Sequence, residues 1–261
     1  MTFETIIYEA AGEDGVATVT INRPDVLNAF DHQMVGEFAE VWRLVREDAA
    51  ARAVVLRAAG NRAFSTGADV KKGGYSRAEI GPFDQDDPGA HLGPKQNRVW
   101  KPVVTAVHGL CAGGAFHWIN ESDIVICSPE AQFFDPHVTY GMVTAVEPIG
   151  ALARMPLAEV VRMSLMGNDE RISAETALRI SLVTEIAERD ALWTRAHEIA
   201  AIIAAKPAAA IQGSVRAIWE AQDLPRSAAV SNALKYCQLG NPIGRAEVDR
   251  WSVPKARWKL R

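Results

Sequence analysis

The sequence predicts an α/β fold in which strand–strand–helix units repeat, with mostly parallel strands and a helical C-terminal region. Three observations carry this. AVVLRAA (53–59) and PVVTAVHG (102–109) are short, β-branched and apolar, the pattern of strands buried on both faces. The predicted elements run strand–helix–strand–loop–strand–loop–helix, an order that requires crossovers between parallel strands. From about residue 150 the apolar spacing turns helical.

Taken in order, ETIIYEAAGEDGVATVTINRP (4–24) reads as a β-hairpin. Its two β-branched runs are joined by Gly12-Glu13-Asp14-Gly15 and closed by Asn22-Arg23-Pro24. Asp31 stands where a helix N-cap belongs, and Met34, Phe38, Val41, Trp42 and Val45 mark one face of the helix after it. NRAFSTGADVKKGG (61–74) and LCAGGA (110–115) read as loops, and DIVICS (123–128) and AQFF (131–134) as short strands. The stretch 73–97 is rich in Gly, Pro and Asp and has no period, so a mobile surface loop is expected there, beside whatever site the chain carries. Ser173, Asp190 and Lys206-Pro207 mark helix starts. Leu192, Ala196, Ile199 and Ile203 keep helical spacing, as do Ala217, Ile218 and Ala221, and LVTEIAE (182–188) is a short β run. Residues 1–195 are expected to form a core that carries the site, and 196–261 a helical region for assembly.

With 261 residues, 48% of them hydrophobic, the chain can fill one large domain. A net charge of −4, scattered along the chain, excludes the basic stripe of a nucleic-acid or anionic-membrane binder. No apolar run is long enough to span a bilayer, and MTFETIIYEA lacks the basic-then-apolar layout of a secretory leader. Cys111, Cys127 and Cys237 lie far apart without CxxC spacing. That pattern fits neither a disulfide framework nor a zinc site and suits a cytoplasmic protein.

FSTGADVKK (64–72) and GLCAGGAFHW (109–118) each follow a predicted strand and are built from small residues. Such loops let backbone N–H groups approach a ligand atom closely, and two side by side can form an oxyanion hole. Neither GxGxxG nor GxxxxGK occurs, so nothing points to nucleotide chemistry. A single glycine pair of this kind is more often a tight turn against a neighbouring strand.

INRPDVLNAF, AVVLRAAGNRAFSTGADVK and KPVVTAVHGLCAGGAFHWINESDIVICSPEAQFFDP, in this order over about residues 5–220, resemble the crotonase superfamily, the enoyl-CoA hydratase/isomerase fold. The resemblance implies a crotonase-like spiral of ββα turns with a trailing helical region, assembled as a homotrimer or a dimer of trimers. It implies an acyl-CoA ligand, with coenzyme A as part of the substrate and no permanently bound cofactor or metal. By the same resemblance the N–H groups of Ala68 and Gly114 hold the thioester carbonyl, and Ala68, Asp69, Val70 and Lys71 line the CoA path. A solvated turn explains Lys71 equally well.

The sequence departs from that family at its centre. Hydratases of the family carry one glutamate three residues after the second hole glycine and another directly after a proline; here those positions are His117 and His137. In GMVTAVEPIG (141–150), Glu147 replaces a glycine of the family's usual turn. An imidazole suits acid–base work near neutral pH, so His117, His137 and Glu147 are the candidate catalytic set, expected to activate water. Two imidazoles facing a polarised carbonyl suit hydrolysis better than conjugate hydration, and members with histidine at the position of His137 include hydrolases that open cyclic β-diketones by retro-Claisen attack of water, so a β-diketone is a second substrate class; a catalytically silent member that binds CoA is the remaining alternative. Each histidine has a plain alternative as a structural hydrogen-bonder, and Glu147 as an acid at a helix N-terminus. His108 reads as structural, and Glu121, one turn beyond His117, as a residue within reach of it or a surface acid.

Overall fold

The computed structural model describes residues 2–72, 87, 89–254, 258 and 260. Most of the expected loop at 73–97, from 73 to 86, and five residues of the chain's last stretch lie outside the described residues. Residues 89–97 form turns.

Among the described residues two sheets share the strands. The larger has the order β1 (Ile6–Glu9), β2 (Val16–Ile21), β3 (Ala53–Ala58), β5 (Val103–Val107), β7 (Ile124–Cys127), β10 (Glu185–Ile186). Only β1 and β2 pair antiparallel, as the hairpin reading expects; the other pairs in that sheet are parallel. The smaller sheet has the order β4 (Ala63–Ser65), β6 (Leu110–Ala112), β8 (Gln132–Phe134), β9 (Ile172–Ser173), with β8 and β9 antiparallel. Each turn of the chain therefore gives one strand to each sheet: β3 then β4, β5 then β6, β7 then β8. This is the repeated ββα spiral.

The helix after Asp31 is α1 (His32–Glu47), and the Asp31 carboxylate accepts the Met34 N–H at 3.1 Å, as an N-cap does. Phe38 and Trp42 on its inner face are fully buried with Phe64, Phe116 and Trp118. Alternation along β3 shows why the run is apolar throughout. Val54 and Leu56 face this core, while Ala53 and Val55 face a second one beneath α6 (Leu192–Ala204). The expected boundary at 195/196 falls inside α6, whose Leu192, Ala196, Ala200 and Ala204 pack on the larger sheet. What extends beyond the sheets is the hairpin of α7 (Ala208–Glu220) and α8 (Arg226–Ala246).

Two segments read as loops hold strands. LCAGGA begins with β6, and NRAFSTGADVKKGG contains β4. Both strands are three residues long, too short for a period to show. Ser173 caps the short helix α5 (Ala174–Arg179), and of LVTEIAE after it only Glu185–Ile186 pairs as strand. Among the described residues no helix is long and apolar enough to cross a membrane.

Candidate active site

β4 and β6 are parallel neighbours, so their C-terminal ends deliver the two glycine loops side by side. The loops touch backbone to backbone. A Cβ added to Gly67 would sit 2.8 Å from the Gly114 nitrogen and 3.0 Å from the Ala112 carbonyl, and Gly67 has φ +82°. Only glycine fits there. On its far side the first loop is bound to Phe30, whose N–H donates to the Gly67 carbonyl at 2.8 Å and whose carbonyl accepts the Asp69 N–H at 2.8 Å. The peptide between Gly67 and Ala68 is planar and trans, so with its carbonyl turned to Phe30 the Ala68 N–H points the opposite way. Gly114 lies in the tight first turn that leads into α2 (Phe116–Asn120), where N–H groups have no intrahelical acceptor. Two N–H donors on abutting loops suit an oxygen that gains negative charge during reaction.

The third strand of this sheet, β8, ends at Phe134 and runs into Asp135-Pro136-His137. Asp135 is fully buried. One carboxylate oxygen accepts both the His137 backbone N–H at 3.0 Å and ring Nδ1 at 2.6 Å; the other accepts the Thr144 hydroxyl. The imidazole borders the second glycine loop, its Cε1 lying 3.6 Å from where a Cβ on Gly113 would be. His117 stands on α2, buried, its ring packed so closely on Gly89 that a Cβ there would fall 2.2 Å from Cδ2.

Glu147, in the first turn of α3 (Val146–Ala151), stands between the two imidazoles. Its Oε1 is 3.7 Å from His117 Nε2 and 3.9 Å from His137 Nε2. Asp87 flanks His117, with Oδ1 3.6 Å from Nε2. Asn120 fixes the spacing of α2 and α3 by donating from Nδ2 to the Glu147 backbone carbonyl at 2.8 Å. Gly150 makes room for that amide: a Cβ there would lie 2.5 Å from Nδ2.

The hydrogen bond to Asp135 raises the pKa of His137 above the usual imidazole value; burial opposes it, and the charges of Asp135 and Glu147 add to it. Burial alone would raise the Asp135 carboxyl. The hydrogen bonds from His137 and Thr144 outweigh it and hold Asp135 below the ordinary carboxylate range. With Nδ1 donating to a carboxylate, the neutral ring carries its lone pair on Nε2, the nitrogen turned toward Glu147. Asp135, His137 and Glu147 bring possible ligand atoms within 4.8 Å of one another. Nδ1 and Oδ1 face each other at 2.6 Å, the distance of a hydrogen bond between the two side chains.

The structure thus brings His117, His137 and Glu147 together, and places Ala68 and Gly114 on the loops beside them. Val70 and Lys71 are exposed on the turn Val70–Lys72, two and three residues past Ala68. Asp69 does not face outward with them; its carboxylate is buried and paired with Arg23 at 3.0 Å. Glu121 turns from His117, and its carboxylate accepts the N–H groups of Lys95 at 2.6 Å and Gln96 at 3.0 Å. His108 is fully buried, and burial pushes its pKa down to about 4, as for a neutral core histidine. Asp135 and Asp87 escaped the sequence reading. The signal for Asp135 was its place two residues before His137, which allows the side chain to reach the next but one N–H.

Comparison with known proteins follows the same lines. The model of the enoyl-CoA hydratase/isomerase family matches residues 11–214. The (E)-benzylidenesuccinyl-CoA hydratase of Thauera aromatica is 33% identical over 211 residues, 80% of this chain and 81% of that protein. The short-chain-enoyl-CoA hydratase of Clostridium acetobutylicum is 32% identical over 225 residues, 84% of this chain and 82% of that one. Among solved structures, an enoyl-CoA hydratase/isomerase from Mycobacterium paratuberculosis superposes with a TM-score of 0.81 at 36% identity, covering 91% of this chain and 90% of that chain. With the spiral, the paired glycine loops and a family match over most of its length, this chain belongs to the enoyl-CoA hydratase/isomerase family.

Proposed function

We propose that the chain directs water onto the β-carbon of an acyl-CoA thioester. The Ala68 and Gly114 N–H groups hold the thioester oxygen as the enolate forms. His137, oriented by Asp135, takes the proton from water through Nε2. Glu147 and His117, beside it at 3.9 Å and 3.7 Å along the chain of groups, pass that proton on to the α-carbon. The observation that carries this reading is the Asp135–His137 dyad at 2.6 Å with Nε2 turned toward Glu147. It supplies an oriented base and a neighbouring carboxylate in one place. On a conjugated enoyl-CoA the outcome is hydration, the reaction named for the Thauera aromatica and Clostridium acetobutylicum relatives.

The same imidazole, held by Asp135 at 2.6 Å where the family's hydratases carry a glutamate, supports a second substrate class. On a β-dicarbonyl the same water adds to the β-carbonyl carbon, the bond between the α- and β-carbons breaks, and its electron pair becomes the enolate in the same hole. Proton return to the α-carbon then leaves a carboxylic acid and a shortened thioester. Incubation with 2-enoyl-CoA, 3-oxoacyl-CoA and free cyclic β-diketones in ¹⁸O-water, read by mass spectrometry, separates the two. Label in a 3-hydroxyacyl product marks hydration, label in a released or ring-opened carboxylate marks cleavage, and label in neither would sink both readings.

A further inference from the structure

We infer that Arg23 is a positioning residue for the oxyanion hole, acting through Asp69 on the peptide that presents the Ala68 N–H; the inference rests on the assignment of that N–H to the thioester oxygen. Arg23 follows β2 and is far from any reacting group in sequence, yet its guanidinium is placed at the back of the loop. One terminal nitrogen lies 3.0 Å from Asp69 Oδ2 and 3.1 Å from Asp31 Oδ2, and the other donates to the Ala29 carbonyl. All three side chains are nearly buried, at 11%, 12% and 7% exposure for Arg23, Asp31 and Asp69. An ion pair so placed is poorly screened by solvent and holds its geometry tightly.

What it holds is the residue directly after Ala68. Asp69 is fixed twice, by its N–H on the Phe30 carbonyl and by its carboxylate on Arg23. Gly67, directly before Ala68, is fixed by its carbonyl on the Phe30 N–H. Ala68 is therefore clamped on both sides, and the direction of its N–H is set by groups that never meet the substrate. The clamp has its own foundation. Leu27 and Asn28 take left-handed conformations, φ 57° and 55°, which curl the 22–31 segment round the guanidinium. The Asn28 amide bonds the carbonyls of Ala59 and Ala63 at 2.9 Å each, and its Oδ1 accepts the Arg23 N–H at 2.9 Å. Asp31 Oδ1 also caps α1. The segment between the hairpin and α1 is thus a bracket for the first glycine loop.

A hole donor displaced by about 1 Å costs about 10²-fold in rate. The test uses a probe that reports carbonyl polarisation directly, the push–pull thioester 4-(dimethylamino)cinnamoyl-CoA, whose absorption moves to the red when hydrogen bonds pull charge onto the thioester oxygen. The wild-type protein is expected to produce the red shift. Arg23→Gln should lose most of it and lower kcat about 10²-fold, with the dissociation constant of the probe within a few-fold of wild type. Arg23→Lys should recover part of both. Asp69→Asn reads the same contact should Arg23→Gln fail to fold. A wild-type shift matched in full by Arg23→Gln or Asp69→Asn, with only the melting temperature lowered, overturns the inference and leaves the functional reading standing. The lack of any shift in the wild type removes the functional reading itself, and this inference with it.

Discussion

In the proposed chemistry His137 is the base, and its hydrogen bond to Asp135 sets what kind of base it is. The hydrogen bond from Nδ1 stabilises the imidazolium, so the pH at which Nε2 becomes free to accept a proton lies above the ordinary value for histidine, about 6.5. Activity should rise with pH, reach half its plateau above that value, and then level off. Asp135→Asn removes the largest cause of the raised pKa, so the midpoint should move down, toward acid, while the plateau falls because the ring is no longer oriented. A profile whose midpoint stays put in Asp135→Asn means the dyad does not tune the base. His137→Ala should lower kcat by about 10²–10⁴ and leave acyl-CoA affinity nearly unchanged, with His117→Ala equal or milder; steady-state kinetics alongside a binding titration checks both. Histidines 117 and 137 were legible because their type breaks a strongly patterned background. Asp135 was not, since Asp-Pro reads equally well as turn punctuation, and neither was Asp87, which adjoins His117 only through the fold.

At the level of elements, two runs of small residues meet because β4 and β6 are neighbours. Gly67→Ala tests that junction. A methyl there meets the Gly114 nitrogen at 2.8 Å, and the residue must hold φ +82°, which costs about 1–2 kcal/mol for a non-glycine side chain. The loops must part, so the expected result is a fall in kcat/KM of about 10²–10³, the effect of a lost hole donor, larger than the modest drop in thermal stability would explain. Retained activity with the same melting temperature would show that the contact is dispensable. α1 was read correctly from Asp31 and five apolar residues because sixteen residues give the helical period room to declare itself. β4 and β6 were read as loops because a three-residue strand has no period, and it is their pairing partners, distant in sequence, that make them strands.

The whole molecule leaves apolar surface that one chain does not cover. α3 and α4 (Leu157–Met166) expose Ile149, Leu157 and Leu165 at 68%, 66% and 70%, beside an open groove of about 570 Å³ lined by Val138, Met142, Val143 and Leu152. The α7–α8 hairpin has no fully buried residue except Gly244. Such area on one chain marks a contact surface, and we propose that copies of this chain cover it in multiples of three. Light scattering at micromolar concentration should give the mass of a trimer or hexamer; a stable monomer refutes the proposal. The expectation of assembly rests on family resemblance, because an apolar stripe in sequence does not say whether its partner lies in the same chain.

The alternation of strands between two sheets has a geometric consequence. The smaller sheet works as a ruler whose graduations are strands, each about 4.8 Å from the next. Ala68 stands just beyond the first mark, Gly114 just beyond the second and His137 just beyond the third, since β4, β6 and β8 lie in that order and run parallel. The interval from carbonyl address to reagent is therefore a property of backbone pairing and owes nothing to side-chain size. On the proposed assignment, a different side chain at 137 changes the reagent without moving the address, so one water chemistry can be exchanged for another at a single mark.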